Sequence, residues 1–232
     1  MELDEKSVKI ERLYALHKNV MLYTAERILR DYQLAEDAVQ KAFMKVLDNL
    51  HKIEEPDCNK TRAFLVIITR NVAITMYNRQ KKQAVPIEEI EQMDCTGGFT
   101  PFELVASKES VEAIAQYISQ LDKKYADVLT LKFYYQYSDS EIAGLVQTSP
   151  ENVRVRLHRG KRKLTNVSMD RRTGDEWSGD PLLLAALQRY VERMLGELPC
   201  EEKLSARYRN TPRLDQMIGE LEKARRQQRH GK

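Results

Sequence analysis

The chain has 232 residues, with 38 Lys and Arg against 35 Asp and Glu, a formal net charge of +3, nine Gly and seven Pro. That length allows one or two domains, and so little Gly and Pro favours helices over a strand-and-turn architecture. A charge this close to balance does not by itself announce a nucleic-acid binder, so the placement of the cations has to decide.

The apolar positions Leu13, Leu16, Val20, Tyr23 and Ile28 predict one amphipathic helix over about residues 8–30, interrupted at residues 31–33. A second helix follows in AEDAVQKAFMKVLDNL, where Ala35, Ala38, Val39, Ala42, Phe43, Val46, Leu47 and Leu50 form one broad stripe. Residues 51–59, with Pro56, read as a loop. The run AFLVIIT inside 61–79 has the periodicity of a buried strand or a helix. Its pattern continues past Arg70 as NVAITMYN without a turn signal, which favours the helix. Pro86, Gly97, Gly98 and Pro101 then punctuate an acidic stretch that reads as a linker. A second helical domain carries VEAIAQYISQL, KKYADVLTLKFYYQY and the segment from Tyr137 to Leu164. A further break at 170–181 precedes the amphipathic LLLAALQRYVERMLGEL and a partly frayed RLDQMIGELEKARRQQR. The predicted fold is all-α. Its parts are a helical domain over 1–83, a flexible acidic linker over 84–105, a helix-turn-helix domain over 106–168, a second linker over 169–181 and a helical tail over 182–232.

The segment YSDSEIAGLVQTSPENVRVRLHRGKRKL is the most informative part of the chain. Ser138 followed by Glu141 is a capping box, and Ser149 with Pro150 is a second helix start at once after it. Val153, Leu157, Gly160 and Leu164 recur at helical spacing and face inward. The remaining directions carry Arg154, Arg156, His158, Arg159, Lys161, Arg162 and Lys163. No acid interrupts between Glu151 and Asp170, whereas a merely solvated face mixes charge signs. Two short helices, the second cationic and exposed, fit a DNA major groove.

The order of these pieces closely resembles bacterial sigma factors of the extracytoplasmic-function type over roughly residues 8–166, on AEDAVQKAF, TRAFLVIITRNVAI and the segment from Tyr125 to Lys163. The resemblance implies a subunit without an active site that binds core RNA polymerase and promoter DNA and needs no cofactor. It places polymerase contacts on Asp37, Gln40, Phe43 and Leu47, with Lys41 where an acid is usual. Contacts to an opened upstream strand fall on Arg70, Asn71, Tyr77 and Arg79, with Thr75 where an acid is common. Reading of the distal duplex element falls on Asn152, Arg154, Val155, Arg156, His158, Arg159, Lys161 and Arg162. Arg154 suits guanine, Val155 a thymine methyl, and Arg156, Lys161 and Arg162 suit phosphates. Gln147 stands in the turn where Gly is usual. The tail weakly resembles the cytoplasmic part of membrane-bound anti-sigma proteins. It is expected to dock on one or both domains through Leu182, Leu183, Leu187, Val191 and Leu195, as an autoregulatory element or as an accessory helical pair.

Cys58, Cys95 and Cys200 are far apart and form no CxxC pair, which argues against a disulfide framework or a metal site and suits the cytoplasm. The charged start MELDEKSVKIERLY predicts no secretory signal, and no apolar run approaches bilayer-spanning length. Two other function classes stay open at this point. One is a dimeric helix-turn-helix regulator acting without polymerase. The other is an interaction protein dominated by its tail, and an anti-sigma factor is a further partner to be expected.

Overall fold

The structure, a computed structural model, describes residues 2–84, 111–165, 180–209 and 211–220. Its elements in chain order begin with α1 (Glu2–Leu29), α2 (Tyr32–Asp48), a 3-10 turn (Leu50–Lys52), α3 (Asn59–Ala84), α4 (Val111–Gln120), α5 (Lys123–Leu129) and a π-helical segment (Thr130–Tyr134). They continue with α6 (Asp139–Val146), α7 (Pro150–Thr165), α8 (Pro181–Gly196), α9 (Glu201–Arg207) and a last helix, α10, over 212–220. The described residues are all-α, as expected. Most of the two expected linkers, 85–105 and 169–179, lies outside the described residues, as does Cys95.

The chain divides into two compact units: Met1–Gln80 with Leu145–Gln147 and Leu195–Lys232, and Lys81–Gly144 with Thr148–Met194. In the first unit, α1 packs on α2 and on α9. The core of this unit is built from Leu13, Val20, Met21 and Leu22 of α1, from Ala35, Ala38, Val39, Ala42, Phe43 and Val46 of α2 and from Ala63 to Ile68 of α3, all of them buried. The AFLVIIT run is a helix. It is apolar all round because Ala63 through Thr69 are all buried, and each large side chain buried there contributes about 1.5–3 kcal/mol. The break between α1 and α2 has a local cause. Arg30 adopts φ 54° and its amide donates to the Glu26 carbonyl at 2.8 Å, which closes α1. Asp31 then caps α2, accepting from the Leu34 amide at 2.8 Å.

In the second unit, α7 packs on α5 and α4. Gly160 of α7 is buried at the crossing, where a Cβ would lie 3.1 Å from Leu129 Cδ1. KKYADVLTLKFYYQY is not one regular helix: it passes from α5 into a π-helical turn and ends at Gln136 with φ 57°. Helix α8 buries Leu183, Ala186, Leu187, Tyr190, Val191 and Met194, while Leu182 and Leu195 are half-buried. Arg189 and Arg193 of α8 pair with Glu112 of α4, and Lys123 lies 5.6 Å from the Tyr190 ring. The sequence reading missed α9, whose seven residues are too short for a periodic signal.

Candidate nucleic-acid interface

The start of α6 is closed by a reciprocal capping box. The Ser138 amide donates to the Glu141 carboxylate at 2.8 Å, and the Glu141 amide donates to Ser138 Oγ at 3.3 Å. Its end is closed by Gln147 at φ 54°, after which the Thr148 amide donates to the Ala143 carbonyl at 3.0 Å, as in a Schellman motif. Ser149 Oγ accepts from the Asn152 amide at 3.2 Å and starts α7. Only two residues separate the Gln147 αL position from Pro150, so the turn between α6 and α7 is short and defined by its caps.

Helix α7 advances about 100° per residue. Val153, Leu157, Gly160 and Leu164 therefore share one side, and all four are buried. Opposite them lie Asn152, Val155, His158, Arg159 and Arg162, every one exposed. Val155 is 44% exposed, which leaves its methyl groups open to a thymine methyl in a groove. Arg154 and Lys161 lie on one flank and Arg156 on the other. Arg156 is half-buried, in the field of Tyr125 and Asp127, and Lys161 sits 5.1 Å over the Phe133 ring. The one acid of α7 is Glu151, whose own backbone amide and the Ser149 hydroxyl hold its carboxyl below the usual range. The structure thus brings all eight residues assigned to the distal duplex onto the solvent side and flanks of one helix. Sequence reasoning missed Asp139, which pairs with both Lys132 (2.7 Å) and Arg154 (3.5 Å). No local spacing signals a partner fifteen positions upstream.

On α3 the assigned residues do not form a single face. Arg70 and Tyr77 share one side with Ile74, and Ile74 and Tyr77 are exposed at 39% and 42%. Arg79 is exposed on another side. Asn71 is turned toward the core, buried, with Nδ2 donating to the Ile67 carbonyl at 2.9 Å. The exposed apolar Ile74 beside Tyr77 was not singled out from sequence, because its β-branched side chain reads as core in an apolar run. On α2, Asp37 and Gln40 are half-exposed on one side and Leu47 is half-buried near them. Met44, 46% exposed, completes that side. Phe43 is fully enclosed, edge-on to Tyr14 with ring centroids 5.9 Å apart, so its ring belongs to the core beneath this surface and is not part of it.

Among the described residues no cluster of His, Cys, Asp and Glu could hold a metal ion, and no helix is long and apolar enough to cross a membrane.

The sigma-70 region 2 family matches residues 13–83 and the sigma-70 region 4 family matches residues 111–164, together just over half of the chain. The ECF RNA polymerase sigma factor SigM of Bacillus subtilis is 24% identical over 156 residues, covering 67% of this chain and 92% of SigM. The ECF RNA polymerase sigma factor SigW of the same organism is 27% identical over 164 residues, covering 67% of this chain and 86% of SigW. A solved complex of the sigma factor RpoE with the anti-sigma factor NepR from Bartonella quintana aligns at TM-score 0.31 and 18% identity. That alignment covers 73% of this chain and 99% of the other. Both family matches end before α8 begins.

Proposed function

We infer that the chain, which belongs to the sigma-70 family, works as a sigma factor of the extracytoplasmic-function type that binds core RNA polymerase and directs transcription initiation at promoters, and that its helices divide that work. Helix α7 reads the distal element as duplex, with Asn152, Arg154, Val155, His158 and Arg159 toward the bases and Arg156, Lys161 and Arg162 toward phosphates. The α3 side carrying Arg70 and Tyr77, with Ile74 beside them, receives the opened upstream strand, where an aromatic ring offers a stacking surface and a cation tracks the backbone. Asn71 supports that side from within. Helix α2 meets the polymerase through Asp37, Gln40 and Leu47, positioned by Phe43. The protein works in the cytoplasm, and its tail regulates it.

The observation that carries this reading is α7 itself. From Asn152 onward its exposed positions are cationic, polar or, at Val155, methyl-bearing, and it is mounted behind α6 by a turn with both caps formed. The test is transcription by purified core polymerase on a random-promoter library, with the wild-type chain, Arg154→Ala and Tyr77→Ala. Transcripts that share a two-part motif are expected, the distal part relaxing in Arg154→Ala and start-site opening weakening in Tyr77→Ala. Absence of transcripts alongside sequence-specific duplex binding by the free protein would overturn the division and leave a regulator that works without polymerase.

A further inference from the structure

Helix α10 sits on the start of α2. Arg213 Nη1 lies 3.7 Å from Asp37 Oδ1, and Asp37 and Gln40 line one recess with Arg213, Gln216, Met217 and Glu220. One turn deeper the tail is anchored to α1. Asp215 accepts from the Tyr14 hydroxyl at 2.6 Å and from Lys18 Nζ at 3.0 Å, and Lys18 also donates to Thr211 at 3.0 Å. Leu214 and Ile218 are buried beneath. Before α10, Tyr208 stacks on Tyr32 of α2 with ring centroids 6.5 Å apart and donates to Glu26 at 2.6 Å. The tail therefore covers the first turns of the helix whose Asp37 and Gln40 are assigned to the polymerase.

We propose that α10, anchored through Asp215, is an internal competitor for the α2 face, so that core RNA polymerase has to displace it in order to bind. This inference rests on the reading of α2 as the polymerase-facing helix. A closed chain leaves Asp37 paired with a cation of its own and Gln40 in a recess walled by α10. A polymerase surface that contacts these side chains cannot share them with Arg213 and Gln216. The closure is also weak enough to be reversed. Arg213 and Asp37 are both about half exposed, a setting in which an ion pair adds little, and α10 contributes few large apolar side chains to the core. A large partner with a better set of contacts on α2 shifts such an equilibrium by its differential affinity alone.

Hydrogen exchange of the full chain with and without core polymerase tests this directly. Polymerase is expected to protect the first turns of α2 and, in the same complex, to raise exchange over 212–220. The full-length double variant R213E/D215A is expected to bind polymerase roughly tenfold more tightly than the wild type, since it populates the open form in advance. Protection of α2 with undiminished protection of 212–220, or equal affinity of variant and wild type, overturns the competition while leaving the α2 assignment standing. Polymerase binding without any change at α2 overturns the assignment and the inference with it. If the double variant loses protection in α1 and α3, the single R213E, which removes only an exposed pair, makes the same comparison.

Discussion

Arg154 on α7 and Asp139 at the start of α6 form an ion pair, Nε to Oδ2 at 3.5 Å, while the other oxygen of that carboxylate takes Lys132 at 2.7 Å. Asp139 thus holds the guanidinium that is proposed to read a guanine. Arg154→Ala is expected to cost about 1–3 kcal/mol on the cognate duplex and to relax preference at one base pair. Asp139→Asn is expected to lower the ratio of cognate to random binding by less, and to add nothing once Arg154 is gone. A double-mutant cycle on duplex affinity measures this, and strictly additive losses would mean that the two residues act independently.

Lys161 lies on the flank of α7, 5.1 Å over the Phe133 ring, away from the exposed side that carries Val155 and Arg159. Lys161→Ala is expected to weaken all duplex sequences alike and to reduce the slope of log affinity against log salt by about 0.9. A titration over several salt concentrations reads the slope. A sequence-dependent loss would place Lys161 among the base readers.

Gln147 holds φ 54° with an exposed side chain, so its Cβ is strained and its side chain contributes no packing. Left-handed geometry costs a non-Gly residue about 1–2 kcal/mol. Glycine gives back part of that, about 0.5–1 kcal/mol, through its freer unfolded chain. Gln147→Gly is therefore expected to raise stability by up to about 1 kcal/mol, seen as a higher denaturant midpoint at unchanged slope. A lower midpoint would mean that the glutamine side chain holds the turn.

The elements that could be read from sequence are those whose signals are local. The capping box at Ser138, the N-cap at Ser149, the inward row Val153, Leu157, Gly160 and Leu164, and the cationic rest of α7 all follow from spacing within one helix. Ala63 to Thr69 was ambiguous by period and was settled by its continuation. What could not be read depends on partners far along the chain. Asn71 looks available in a helical wheel, and only the fold turns it inward. Phe43 looks equally fit for core or interface. The pairing of Arg154 with Asp139 and of Asp37 with Arg213 has no sequence signature, since neither pair lies three or four residues apart. The π-helical turn at Thr130–Tyr134 breaks a run that sequence reads as continuous.

His17 is buried on α1, with Nε2 set to donate to the Pro56 carbonyl at 2.7 Å and Nδ1 without a partner. Burial, with a smaller push from Arg62, lowers its pKa from the ordinary 6.5, because a second proton would stand on Nδ1 with no acceptor. The unfolded chain takes up that proton where the folded chain does not, so stability is full above the ordinary value. It falls as pH drops through 6.5 toward the folded value. The wild type is therefore expected to lose more Tm than His17→Gln between about pH 7.5 and about pH 5.5. Equal losses would assign the acid sensitivity to other groups.

Helix α10 and the α2 face it covers are parts of one polypeptide, so the local concentration of α10 at α2 is set by the intervening chain and not by how much protein is present. Closure is unimolecular. Making more of the protein adds open and closed chains in the same proportion, and the open share responds only to what competes for α2. An inhibitor on a separate chain behaves in the opposite way, because its hold is a matter of stoichiometry and is lost once its target is in excess. Under the proposed competition, restraint built into the chain follows the supply of free polymerase, whatever the level of the protein itself.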